Sequence, residues 1–407
     1  MRVLSVLQFS PPSKVCGGAE RQMHSIHKGL VSGGIEVQVL ADISYVGLPY
    51  QVFEGIPIWG VRFPILPRSL LRPSMIQSWI RLKKILQLVK AKMGHIDLIQ
   101  VTPLRESTMW GFWLSRHLQA PWLGRIACSG SYGDFGYMAK YMSRNVLVKW
   151  VIPTLLRSCS TAIALDQETY REALQNGLER DRIVIIPNAV VLEEIPSREK
   201  AERIPEDGIL LFLGRIAFQK RIADLINAYA RCKQSILTGH RENVPILNIV
   251  GGGNVDELKN LVASIGIGES VRFHGYSEHV EIFLQKAIAM VNASEIEGMP
   301  NSVLEACSYG VPSILSDIPI HREIANQTGM VEFLFPVGDV KALSEKIGNY
   351  LSIKREDMIQ KRIQCYEYVQ GFTRENRDSA YLNLYTQIIK GFSVQYKEFK
   401  EGSSVLG

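Results

Sequence analysis

The chain has 407 residues, 46% of them apolar and 21% charged, with a net charge of +6. That balance is globular, leaves room for two to three cores of about 150 residues each, and excludes a disordered or low-complexity chain. The six cysteines, at 16, 128, 159, 232, 307 and 365, form no CxxC pair and have no histidine cluster beside them; this argues against a structural zinc site and for a reducing, cytoplasmic compartment.

Residues 2–9 read as a first buried strand. Their apolar run is too short for a signal segment, and no apolar stretch reaches the roughly 18–20 residues of a membrane span. A loop containing Gly17-Gly18 follows, then a helix over 19–29 and strands over 37–40 and 56–61. Between 55 and 96 stand eight basic residues (Arg62, Arg68, Arg72, Arg81, Lys83, Lys84, Lys90 and Lys92) and no acid. Residues 74–92 have a helical period, with Ile76, Ile80, Ile85, Leu88 and Val89 apolar and Trp79 beside them. A basic amphipathic helix of this kind either packs its stripe on a sheet and solvates its lysines, or touches an anionic membrane at the cytoplasmic face through residues 62–92. No nucleic-acid motif accompanies it.

A strand at 96–101, a helix at 105–118, a strand at 122–127, a polar loop at 128–136, a strand at 162–165, a helix at 166–176 and a strand at 183–186 complete a first half. Residues 1–190 carry 22 Lys/Arg against 12 Asp/Glu, and the remainder 24 against 28. Residues 191–207 lose the pattern, gain charge and proline, and read as a linker. A second half, 208–375, has strands at 209–214, 246–250, 271–273, 287–293 and 313–315. Helices at 222–232, 256–264, 279–286 and 301–309 alternate with them. Such alternation predicts an α/β protein with two doubly wound parallel sheets. Residues 355–395 read as mostly helical, and 401–407 as a disordered tail.

The chemistry concentrates in Ser294–Pro312. Glu297 falls on a strand-to-helix loop, where ligands gather in parallel sheets. Glu305 falls about one turn inside the following helix, which Asn301 or Ser302 would cap. The backbone N–H groups within 300–303, Pro300 itself having none, face outward at a helix N-terminus, ready for a phosphate. Two acids eight apart are by themselves a loop acid and a solvated helical acid. Set within EG-x-P-N-x-x-x-EA-x-x-x-G-x-P, they resemble the Glu-x7-Glu motif of retaining glycosyltransferases of family 4. Gly214-Arg215 with Lys220 five residues on resembles that family's Gly-Arg-x4-Lys element. Cations at a helix N-terminus oppose the helix dipole unless an anion is bound, so a plain surface role fits Arg215 and Lys220 poorly. Gly17-Gly18 resembles the family's glycine loop. It is not GxGxxG, and there is no P-loop, no GxSxG elbow and no DxD element.

The resemblance implies the GT-B fold, with two Rossmann-like domains facing a central cleft and a final helix, 376–400, crossing back to the N-terminal domain. It implies transfer of a sugar from a nucleotide-diphosphate sugar, most simply a UDP-sugar, with retention and without a metal. The acceptor would be a glycan or a lipid-linked glycan. Arg215 and Lys220 would clamp the diphosphate, Glu297 would hold sugar hydroxyls and Glu305 the ribose. Gly17, Gly18, Gly251, Gly253, Tyr276, Gly298, Met299, Pro300, Asn301, Ser302 and Val303 would line the donor. Where many members carry His-Gly, this chain has Ser129-Gly130, which leaves Arg125, Ser129 and Asp134 as acceptor-side candidates. Two other readings share the architecture: a nucleotide-sugar epimerase and a non-catalytic nucleotide-sugar-binding partner.

Overall fold

The computed structural model describes residues 1–13, 17–63, 73–105, 107–131, 133–142, 154–192, 195–237 and 244–403. It divides into two compact units: Met1–Asn188 together with the C-terminal helix from Arg374, and Ala189–Thr373.

The first unit is built on eight strands: β1 (Arg2–Leu7), β2 (Glu36–Asp42), β3 (Tyr50–Phe53), β4 (Ile56–Val61), β5 (Leu98–Thr102), β6 (Trp122–Arg125), β7 (Thr161–Ala164) and β8 (Ile183–Ile185). Their order is β3-β4-β2-β1-β5-β6-β7-β8, parallel except for the β3–β4 pair at the edge. That hairpin is a departure from the expected all-parallel sheet. Its turn residues, Glu54 and Gly55, both have positive φ (47° and 79°), the backbone a tight two-residue hairpin turn requires. The inner strands are buried on both faces, as near-continuous apolar runs such as Val3–Leu7 demand.

The helix Arg374–Ser403 belongs to this unit. Tyr381, Leu384 and Tyr385 join Met23, Ile26 and Leu30 of the helix Gly18–Ser32 in one core. Arg377 donates to Gln22 Oε1 at 2.9 Å and Ser25 Oγ at 3.0 Å. The helix continues through 401–403, so the expected tail starts later than 401; residues 404–407 lie outside the described residues.

The basic helix is Pro73–Lys92. Its apolar stripe divides: Ile85 and Val89 enter the core, while Ile76, Trp79 and Ile80 are exposed. Lys83 Nζ lies 3.5 Å from the Trp79 ring centroid. Arg68 and Arg72 lie outside the described residues.

The second unit carries β9 (Ile209–Leu213), β10 (Leu247–Val250), β11 (Val271–Gly275), β12 (Ala287–Asn292) and β13 (Ser313–Leu315), all parallel, in the order β11-β10-β9-β12-β13. The stretch expected as a linker is instead part of this unit. It holds the helix Arg198–Glu202, with Ala201 buried. The cause is Arg362, a buried guanidinium that donates to the carbonyls of Ala201 (2.8 Å), Ala287 (3.2 Å) and Tyr309 (3.1 Å). The helix expected over 279–286 shortens to Glu281–Leu284, and helices Pro319–Gln327 and Val340–Tyr350 follow β13.

Candidate active site

The second sheet changes direction between β9 and β12. From β9 the chain winds outward through β10 and β11, then returns to β12 on the other side. The loops leaving β9 and β12 therefore diverge, which opens a crevice at the carboxyl ends of these two strands. Loops 214–221 and 293–300 flank it. Glu295 N donates to Gln219 O at 2.9 Å and ties them together. Arg221 pairs with Glu295 at 3.3 Å and with Asp224 at 2.6 Å, its backbone in the left-handed region.

At this point Lys220 Nζ meets Glu297 Oε1 in a short ion pair, with side chains only 16% and 11% exposed. The same oxygen accepts from Asn292 Nδ2 at 3.2 Å and lies 2.7 Å from Ser294 Oγ. Burial pushes the Glu297 carboxyl up, but the Lys220 charge, with hydrogen bonds from Lys220 and Ser294, outweighs it and holds the group below the usual carboxylate range. Glu297 is thus a fixed, ionised acceptor, suited to gripping hydroxyls or meeting positive charge.

The helix Asn301–Ser308 starts directly after this loop. Pro300 occupies its N-cap and no side chain caps it. This corrects the expected cap: Asn301 and Ser302 are already helical. Gly298, Met299, Pro300 and Val303 are buried, and Asn301, Ser302 and Glu305 half-buried. Gly310, at φ 62°, stops the helix as expected.

Loops 214–216 and 251–253 run against each other. Gly214 N donates to Val250 O at 3.0 Å and Ile216 N to Gly252 O at 2.8 Å. A Cβ on Gly251 would stand 1.7 Å from Gly214 O, and one on Gly253 would stand 2.6 Å from Ile216 Cβ. The glycines are there because two backbones touch. Gly251→Ala is expected to destabilise the second unit by about 1–3 kcal/mol, read as a melting temperature lower by roughly 2–4 °C per kcal/mol. An unchanged melting temperature would mean that the contact relaxes freely.

Arg215 is exposed, with no ion-pair partner among the described residues. Tyr276, past β11, is also exposed. So is Phe218 in the β9 loop, at 83%, a residue the motif reading passed over. His274 Nε2 lies 2.6 Å from Asn248 Oδ1 and its ring packs on Phe283.

The remaining candidates lie in the first unit. Its own switch point falls between β1 and β5, and Gly17-Gly18 opens the helix after β1; Gly17 N donates to Glu20 Oε2 at 2.8 Å. Asp134 is fully buried and occupied. It accepts from Leu104 N (3.0 Å), Ala127 N (2.8 Å) and Arg105 Nε (3.0 Å). This reassigns it from acceptor binding to the scaffold of the loop. Arg125 is equally enclosed, donating from Nη2 to Asn188 Oδ1 at 2.5 Å, and Ser129 is buried. Among the described residues no three His, Cys, Asp or Glu gather as a metal-ligand set.

The family model for glycosyl transferases group 1 matches residues 194–368, and that for glycosyltransferase family 4 matches 16–194. The chain belongs to glycosyltransferase family 4. Among curated relatives, the lipopolysaccharide 1,6-galactosyltransferase of Salmonella typhimurium is 27% identical over 166 residues, covering 38% of this chain and 42% of that protein. The chain thus matches less than half the length of that relative. The glycogen synthase of Mycobacterium tuberculosis is 26% identical over 365 residues, 81% of this chain and 82% of its own. Among solved structures, HepE of Anabaena in complex with UDP superposes with a TM-score of 0.71 at 16% identity, covering 95% of this chain and 100% of that one. The fold is GT-B, with one mixed and one parallel α/β sheet.

Proposed function

We propose that this family 4 protein is a retaining glycosyltransferase that moves a sugar from a UDP-sugar to a glycan or lipid-linked acceptor. The observation that carries the reading is the Lys220–Glu297 pair at the switch point of the second sheet, directly before the uncapped helix N-terminus at Asn301. A diphosphate needs cations and N–H donors; Lys220 and Arg215 supply the cations, and the start of that helix, where Val303 N and Leu304 N donate to Pro300 O, presents its positive end. Glu297 then holds hydroxyls of the sugar, Glu305 those of the ribose, and the exposed Tyr276 offers a face to the base. The uridine nucleotide is carried over from the complex of the Anabaena neighbour, and the glycan acceptor from the name of the Salmonella relative.

In the reaction the acceptor oxygen bonds to the anomeric carbon as the bond from that carbon to the diphosphate oxygen breaks. The electron pair leaves with the diphosphate, whose oxygen takes the acceptor proton. Lys220 and Arg215 stabilise the departing charge, the role in which fixed charges contribute most. Proton NMR of the product from a UDP-sugar and a lipid-linked acceptor tests this. The anomeric coupling should match that of the donor; an inverted product, or none from any nucleotide-sugar, overturns it.

The lipid-linked acceptor fits the helix Pro73–Lys92, whose exposed Ile76, Trp79 and Ile80 stand among lysines on an acid-free stretch. No helix among the described residues is long and apolar enough to cross a membrane. The protein is expected to float with vesicles containing anionic lipid at low salt, and Trp79→Ser with Lys83→Glu to abolish this. Equal flotation of the variant would move the contact elsewhere.

A further inference from the structure

The motifs pass over His321. It lies fully buried in the helix Pro319–Gln327 that follows β13. Nδ1 stands 2.9 Å from Ser316 O and 3.1 Å from Ser316 Oγ. A carbonyl oxygen only accepts, so Nδ1 carries the proton. Ser316 Oγ accepts from the ring as well, which leaves its own hydrogen for Ser294 O at 2.5 Å. Ser294 Oγ in turn lies 2.7 Å from Glu297 Oε1 and 2.5 Å from Asn292 Oδ1. Hydrogen bonds therefore run from His321 through Ser316 to the carbonyl of Ser294, and the hydroxyl of that same residue, whose one hydrogen faces both Glu297 Oε1 and Asn292 Oδ1, carries the path on to the loop after β12.

With Nδ1 protonated, Nε2 is a bare acceptor, buried with no hydrogen-bond partner among the described residues. A buried acceptor left unsatisfied destabilises the fold, which an apolar residue in the same core would avoid. A histidine kept only to fasten a helix to its strand gains nothing from that nitrogen. Burial also drives the imidazole down to about 4, so it is neutral at pH 7 although Glu297 is near enough to oppose this.

We propose that His321 is a positioning residue for Glu297. As a neutral imidazole it orients Ser316, which fixes the backbone of Ser294, and Ser294 aims the carboxylate at the transferred sugar. The role rests on the proposed donor site.

Three variants of the full chain separate this from a purely structural role. Asparagine places an N–H near the position of Nδ1, glutamine places one near Nε2, and alanine supplies neither. Melting temperature, UDP affinity and turnover of the UDP-sugar are measured for each. His321→Ala should lower kcat by about 10–100-fold, since misplacing a reacting group by about 1 Å costs that much. UDP affinity should change less than about threefold, because the nucleotide is held by other residues. His321→Asn should restore most of kcat and His321→Gln should not. A kcat equal to wild type in folded His321→Ala, or losses alike in Asn and Gln that follow their melting temperatures, would overturn the role. Should the alanine variant fail to fold, the Asn and Gln pair decides. Wild-type protein that binds no nucleotide-sugar would overturn the donor site and this role together; active wild type with unimpaired variants would overturn this role alone.

Discussion

Glu297→Gln is expected to lower turnover about a thousandfold while leaving UDP affinity within about threefold. The substitution keeps the shape and removes the charge. Glu297 Oε1 gathers Lys220, Asn292 and Ser294 in a site from which water is largely excluded. An electrostatic interaction there is worth far more than on the surface. A glutamine oxygen can accept the same hydrogen bonds but offers no full charge to a sugar whose anomeric carbon turns positive as the diphosphate leaves. The loss should therefore fall on kcat rather than on KM. Isothermal titration with UDP and steady-state release of UDP from the donor give the two numbers. A variant that keeps wild-type turnover with an authentic donor and acceptor would remove Glu297 from the mechanism.

Lys220→Ala is expected to weaken UDP binding by about 10–100-fold and to lower turnover at least as much. The lysine has two partners to serve. Without ligand its ammonium neutralises Glu297; in the proposed donor complex it stands beside the diphosphate. Removing it leaves the Glu297 carboxylate buried with its main counter-charge gone. Burial raises the pKa of that carboxyl and Lys220 lowers it, so the variant's value must rise. The sign follows: wild-type activity that needs ionised Glu297 should hold down to the acid side of the ordinary carboxylate range. The residual activity of Lys220→Ala should fade at higher pH, with its acid limb displaced upward. An acid limb that stays in place would mean that the two groups are not coupled. Because they share a hydrogen bond, the Lys220→Ala/Glu297→Gln double variant should lose much less than the sum of the single losses.

The sheets, and the loops that carry Lys220 and Glu297, were legible because each rests on local pattern. Strands such as Ile209–Leu213 and Ala287–Asn292 are unbroken apolar runs, and the two charged residues sit in loops whose neighbours carry the family signature. Other features depend on what packs against them. The period of Pro73–Lys92 marks a helix but not which end is covered, since Ile85 and Val89 meet a core while Trp79 meets none. Asp134 read as an acceptor-side candidate; only the fold brings Leu104, Ala127 and Arg105 to it. The polar, proline-containing 195–207 lacked a strand or helix period long enough to read, yet Arg362, 161 residues from Ala201, holds it to the second unit. His321 gave no signal at all, because its meaning lies in a chain of serines on two different loops.

On the proposed reading the Lys220–Glu297 site binds a nucleotide-sugar. The most direct test is the shift in melting temperature with UDP, GDP, ADP and their sugars, on the wild type and on Lys220→Ala. A ligand at about 100 times its Kd adds roughly 2.7 kcal/mol, a rise of about 5 °C or more for a domain of this size. One nucleotide family, uridine, should produce that rise in the wild type and most of it should vanish in Lys220→Ala. No shift with any nucleotide, or the same shift in both proteins, would contradict the site.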